Sequence, residues 1–146
     1  MNFEFSADQM QLKDIARKFL AKEESVKRAR KVLEGEESFD QDLWAQIIEM
    51  GFTATAIPEE YGGLGLGYLE LCVIAEELGR SLAPTPFSSS VYLASEAIIN
   101  FGDESQKKSF LPGLASGEKI GAFAHNETNT SPTEAVSYTH LTLPTI

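Results

Sequence analysis

An all-α fold, a bundle of about five helices, is what this sequence predicts, and three observations carry it. Apolar residues recur at helical spacing between Leu12 and Leu111. The segments that do so are punctuated by side-chain caps and by glycine or proline stops. Strand-like composition first appears at Lys119–Ala124, which reads as the first strand of a β domain that this chain does not complete. With 146 residues, of which 42% are hydrophobic, the chain can bury a core without disulfides or metals.

Ser6 followed by Gln9 has the form of a capping box, and Leu12, Ile15, Ala16, Phe19 and Leu20 then follow a helical stripe. A first helix is expected from Ala7 to Lys31, then a charged loop over Val32–Ser38. Asp40 can cap a second helix with Leu43, Trp44, Ile47 and Ile48 on one face, and Gly51 sits where a left-handed residue ends it. From Phe52 to Gly67 the texture is that of a glycine-rich loop. Tyr68–Arg80 is apolar around most of its circumference, which predicts a central helix enclosed by the others. Pro86 suits the first turn of a fourth helix running to Phe101. Gly102 stops that helix, and Asp103 caps a fifth that leads into Pro112 and a Gly-Leu-Ala-Ser-Gly turn. The expected organisation is a helical domain over 1–118, the start of a β domain over 119–127, and an unassigned tail over 128–146. Residues 135–146 read as foreign sequence, similar to translated adaptor.

A net charge of −10 argues against a nucleic-acid surface, which needs clustered cations. The one basic group, Lys27, Arg28, Arg30 and Lys31, reads as a solvated helix face. Cys72 is the only cysteine, so no internal disulfide is possible; within the most apolar helix it is expected to be an inert core thiol. No apolar run approaches a membrane span, Met1–Ser6 has no export signal, and a cytoplasmic location is expected. His125 and His140 lack ligand spacing, so no metal site is expected. The glycines between Gly62 and Gly67 lack the pattern of a phosphate-binding turn. Glu76 and Glu77 are adjacent and point to different faces of a helix, so they cannot act as a facing acid and base. One is expected to be buried or paired and the other solvated.

Several motifs together carry a family resemblance: Phe5-Ser6-Ala7-Asp8-Gln9, Ile57-Pro58-Glu59-Glu60-Tyr61-Gly62-Gly63, Ala75-Glu76-Glu77-Leu78-Gly79-Arg80, and Gly102-Asp103-Glu104-Ser105-Gln106-Lys107-Lys108 with Leu111-Pro112. In this order and spacing the chain resembles the amino-terminal domain of acyl-CoA dehydrogenases, an orthogonal helical bundle, over about Phe3 to Glu127. The resemblance implies an FAD-dependent oxidoreductase that desaturates acyl-CoA thioesters at the α,β position. It also implies an electron-transferring flavoprotein or equivalent acceptor as partner, and a homo- or hetero-oligomer of family members. The family's catalytic base is a glutamate on a later helical domain, so no catalytic residue is assigned within this chain.

By the same resemblance Phe123, His125 and Asn126 fall at flavin-contact positions. Thr85, Phe87, Ser88 and Val91 fall near the acyl pocket, where small and apolar residues suit a groove between helices. The other reading of that segment is that its serines cap the helix and solvate its outer face. His125-Asn126-Glu127 stands where most members carry a Thr-Glu pair and a glycine-rich turn, and it resembles the smaller subunits of heteromeric members. A noncatalytic subunit or helical scaffold pairing with a catalytic homologue is therefore the alternative. A related acyl-CoA oxidase or flavin monooxygenase is a third reading.

Overall fold

The computed structural model describes residues 4–35 and 37–124. Helix α1 (Ala7–Lys22) opens on the expected capping box: Gln9 N–H donates to Ser6 Oγ at 3.2 Å and Ser6 N–H donates to Gln9 Oε1 at 2.9 Å. It does not run to Lys31. Glu24 adopts a left-handed conformation at φ 51° and a second helix, α2 (Ser25–Glu34), begins there. Side chains hold the break: Ser25 Oγ donates to Leu20 O and Arg28 Nε to Glu23 O, each at 3.0 Å, serving carbonyls that a helix end leaves open. The charged loop expected from Val32 starts only after Glu34.

Asp40 caps α3 (Gln41–Glu49) by accepting from Leu43 N–H at 2.8 Å, and Gly51 ends it at φ 74°. Burial works against the Asp40 carboxylate, but the Leu43 N–H and the Arg28 guanidinium, 2.9 Å from both oxygens, outweigh it and hold its pKa below the ordinary value. Two short 3₁₀ turns, Phe52–Ala54 and Glu59–Tyr61, fold the glycine-rich loop. Gly63 has no alternative there, because a Cβ would collide with the carbonyl of Ile57.

Helix α4 (Tyr68–Arg80) packs mainly on α1. Ala16 and Leu20 of α1, Ile47 of α3 and Ile74 of α4, none more than 1% exposed, form the centre of the core. A second cluster seats Ile57 and Tyr61 against Leu111 and Leu114. The enclosure expected for α4 is only half realised: Leu71, Ile74 and Leu78 face the core, while Leu69, Cys72 and Glu76 are exposed. Cys72 is thus a surface thiol, because no described element covers that face.

The expected fourth helix is a π-helix over Ser88–Ser95 continued by α5 (Glu96–Phe101). Ser95 Oγ donates to Ser90 O at 2.9 Å across the wide turn. Asp103 and Gln106 form a second capping box at α6 (Glu104–Ala115), which has Pro112 inside it. Proline cannot donate to the carbonyl four residues earlier, but burial of Leu111 and Leu114 on either side holds the helix.

The strand expected at Lys119–Ala124 is not formed among the described residues, since a strand needs a neighbour to accept and donate its ladder bonds. The segment instead docks on the bundle. Lys119 N–H donates to Gly113 O at 2.9 Å and Gly121 N–H to Ser90 Oγ at 3.2 Å.

Candidate functional site

Helix α4 ends in a Schellman motif, with Ala83 N–H donating to Leu78 O and Leu82 N–H to Gly79 O, each at 3.1 Å. The left-handed position of that motif belongs to Leu82 at φ 50°, where glycine is the usual residue. The turn throws the chain back toward Pro86 and the π-helix. A cleft of about 180 Å³ opens between the two arms.

Ala75, Leu78 and Gly79 of α4 form one wall, Leu82, Ala83 and Thr85 of the turn form the end, and Phe87, Ser88 and Tyr92 form the opposite wall. Gly79 leaves space there, for a Cβ at that position would meet no atom within 4 Å. The Tyr92 ring stands edge-on to Phe87 with centroids 5.2 Å apart. Burial, and secondarily the Cys72 thiol, raise the Tyr92 phenol above its ordinary pKa. It therefore stays a neutral hydrogen-bonding group. Thr85 Oγ1 is buried without a hydrogen-bond partner.

Of the four residues expected near an acyl pocket, three come together on this cleft: Thr85, Phe87 and Ser88. Val91 lies apart from the lining, 2% exposed in the main core. Gly79, Leu82 and Tyr92 were not anticipated. The signal for Gly79 and Leu82 was available as the register 75, 78, 79, 82 along one side of α4 and its cap, but it required knowing that the chain doubles back at Leu82. A second cavity of about 450 Å³ shares Ala83 and Thr85 with the cleft and is otherwise lined by Ser38, Phe39, Pro84, Pro86 and Ile120.

Phe123, the first of the three flavin-contact positions, is 55% exposed, and His125 and Asn126 lie outside the described residues. The paired glutamates separate as expected. Glu77 is wholly buried between Arg17 and Arg80, whereas Glu76 is half exposed and pairs with Lys13. Among the described residues no group of His, Cys, Asp and Glu could hold a metal ion, and no helix is long and apolar enough to cross a membrane.

The family description "Acyl-CoA dehydrogenase, N-terminal domain" matches residues 6–118. The chain belongs to the acyl-CoA dehydrogenase family. Its similarity to acryloyl-CoA reductase (NADH) of Anaerotignum propionicum is 33% identity over 88% of this chain and 32% of the relative. To mitochondrial isovaleryl-CoA dehydrogenase of Arabidopsis thaliana it is 36% over 86% of this chain and 31% of the relative. A solved acyl-CoA dehydrogenase from Bacillus anthracis, complexed with FAD, superposes with a TM-score of 0.76 at 30% identity, covering 88% of this chain and 22% of that one. The chain thus spans about a third of the length of the curated relatives it matches. In acyl-CoA dehydrogenase terms, the cleft lies wholly within the segment matched as the amino-terminal domain.

Proposed function

We propose that the protein carrying this domain is an FAD-dependent oxidoreductase that desaturates acyl-CoA thioesters at the α,β position, and that the cleft between α4 and the π-helix receives part of the acyl group. The observation that carries this reading is the cleft itself, helix-walled and lined by apolar and hydroxyl-bearing side chains, in a chain of this family. Thr85, Phe87 and Ser88 would line the acyl group directly, and Val91 would support that wall from the core.

Phe123 fits a flavin neighbour in one respect, since an aromatic side chain left half exposed offers a surface to a planar ring. FAD would be held in part by Phe123, His125 and Asn126, and it supplies the hydride acceptor for the β-hydrogen. The residues of this chain bind and orient. The two helix walls shield part of the acyl chain from water, and the turn at Leu82 sets how far the chain enters. The base for the α-proton is not among these residues. An electron-transferring flavoprotein or equivalent acceptor would take the electrons, and family members would assemble as homo- or hetero-oligomers in the cytoplasm.

The test is made on the complete protein with its flavin. Addition of an acyl-CoA should bleach the flavin absorbance, and Phe87→Ala should raise KM more than it lowers flavin content. Because one relative is named for reducing acryloyl-CoA, the reverse reaction with an enoyl-CoA is measured beside it. A protein that holds no flavin and copurifies with a homologue would be a noncatalytic scaffold subunit, and the proposal would fall.

A further inference from the structure

The segment Lys119–Ala124 is joined to the bundle on both sides of Ile120. On one side Lys119 N–H donates to Gly113 O of α6 at 2.9 Å. On the other, Gly121 N–H donates to Ser90 Oγ of the π-helix at 3.2 Å. Ile120, between them, lines the cavity that shares Ala83 and Thr85 with the cleft. Gly121 approaches the π-helix so closely that a Cβ there would stand 2.4 Å from Ala94 Cβ, so any side chain would push the segment outward. Ser90 is 1% exposed and held at each of its polar groups. Its N–H donates to Pro86 O at 3.0 Å, its carbonyl accepts from Ser95 Oγ at 2.9 Å, and its Oγ takes the Gly121 N–H. Ser88 and Tyr92, two residues before and after it, line the cleft, and Ser90 itself is not part of the lining.

We propose that Ser90 is a positioning residue: through Gly121 it fixes the segment carrying Phe123 against the helix that walls the acyl cleft, and so sets the separation of acyl group and flavin. The inference rests on the proposed acyl-CoA reading, in which Phe123, two residues past Gly121, neighbours the flavin. Reacting atoms must lie within roughly 3–3.5 Å, and a misplacement of about 1 Å costs on the order of a hundredfold in rate. Removing the Ser90 hydroxyl deprives the Gly121 N–H of its acceptor and releases the segment from the π-helix. The cleft lining keeps all its side chains. The effect therefore falls on the rate of reaction rather than on affinity for the acyl group.

The experiment uses the complete protein with its flavin and follows flavin reduction by straight-chain and branched acyl-CoA thioesters in stopped flow, which separates the limiting rate from the apparent Kd. With the thioester that reduces the flavin fastest, Ser90→Ala should lower the limiting rate roughly tenfold and leave Kd within about twofold. Gly121→Ala should lower the rate in the same way, and Ala94→Gly added to it, which removes the colliding methyl, should restore most of the loss. A general loss of stability would not give that rescue, since glycine within a helix is itself destabilising. The Gly121 and Ala94 pair also decides the matter where Ser90→Ala does not fold. An unchanged limiting rate in Ser90→Ala, or a slow Gly121→Ala that Ala94→Gly fails to restore, overturns this inference, while flavin reduction by the unaltered protein leaves the acyl-CoA dehydrogenase reading standing. No reduction of the unaltered protein by any thioester overturns both.

Discussion

Arg17 of α1 reaches the wholly buried Glu77 of α4, its Nη2 2.7 Å from Oε1 and its Nε 3.1 Å from Oε2. Arg80 closes the other side, donating Nε to Oε2 at 2.7 Å. A carboxylate with no exposure is tolerable only when its charge is met this way, and the pair ties together the two most extensively packed helices.

Glu77 therefore sets an acid limit on stability. Hydrogen bonding from Arg17 lowers its pKa from the ordinary 4.5 to about 2, with Arg80 adding to this against the opposing cost of burial. The folded form holds the proton less tightly than the unfolded form, so this contribution is complete above pH 4.5 and is lost as pH falls from there toward 2. Glu77→Gln should cost roughly 1–3 kcal/mol at neutral pH, reduced from the value for a fully enclosed pair because both arginines are half exposed to solvent. Thermal melts of the two proteins across that pH range should converge at the acid end. Parallel curves would show that Glu77 is not the titrating group.

The turn at Leu82 predicts a stabilising substitution beside the proposed substrate site. Leu82 occupies the left-handed position of the α4 Schellman motif at φ 50° and is 63% exposed, so it gives up little packing. Leu82→Gly should relieve the strain and raise stability by about 0.5–1 kcal/mol, a Tm increase of a few degrees. Because Leu82 also lines the cleft, the same change should weaken acyl-CoA binding by the complete protein. A lower Tm would mean that the leucine contributes more by contact than its backbone costs.

Where short-range chemistry decides a structure, the sequence was readable: Ser6 with Gln9, Asp40, and Asp103 with Gln106 cap helices as their spacing requires. The split between Glu76 and Glu77 was readable for the same reason, since adjacent helical residues must diverge. The break at Glu24 was not, because no glycine or proline marks it and Ser25 and Arg28 stabilise it from outside the turn. Cys72 was misplaced because composition shows how apolar α4 is but not which side is covered. The cleft was half legible. Thr85, Phe87 and Ser88 lie together in sequence, whereas Gly79 and Tyr92 meet them only through the reversal at Leu82 and the wide π-helical turn.

Two glycines should respond oppositely to alanine. At Gly79 a Cβ meets nothing within 4 Å, so Gly79→Ala should stabilise α4 by about 0.5–1 kcal/mol through helix propensity. In the complete protein the added methyl would occupy cleft space and raise KM for acyl-CoA. At Gly63 the same methyl collides with the Ile57 carbonyl, and Gly63→Ala should destabilise by about 2 kcal/mol or more. Denaturant midpoints compare the two directly, and a destabilised Gly79→Ala would show that this surface of α4 is occupied in solution.

The 146-residue chain purified alone should neither retain FAD nor oxidise an acyl-CoA. Its cleft has walls from α4 and the π-helix, but the adjoining surface carries Leu69, Cys72 and Leu93 exposed, so a ligand there would stay in contact with water. Affinity for an apolar group depends on enclosing most of its surface, and these walls enclose only part of it. Phe101 at 90% and Tyr68 at 60% are exposed as well, and exposed apolar side chains of this size favour self-association. Gel filtration should accordingly show concentration-dependent oligomers without flavin absorbance, and Leu69→Ser combined with Phe101→Ser should shift them toward monomer. A yellow monomeric preparation with stoichiometric flavin would overturn this expectation, because it would mean that Phe123 and its neighbours hold the cofactor unaided.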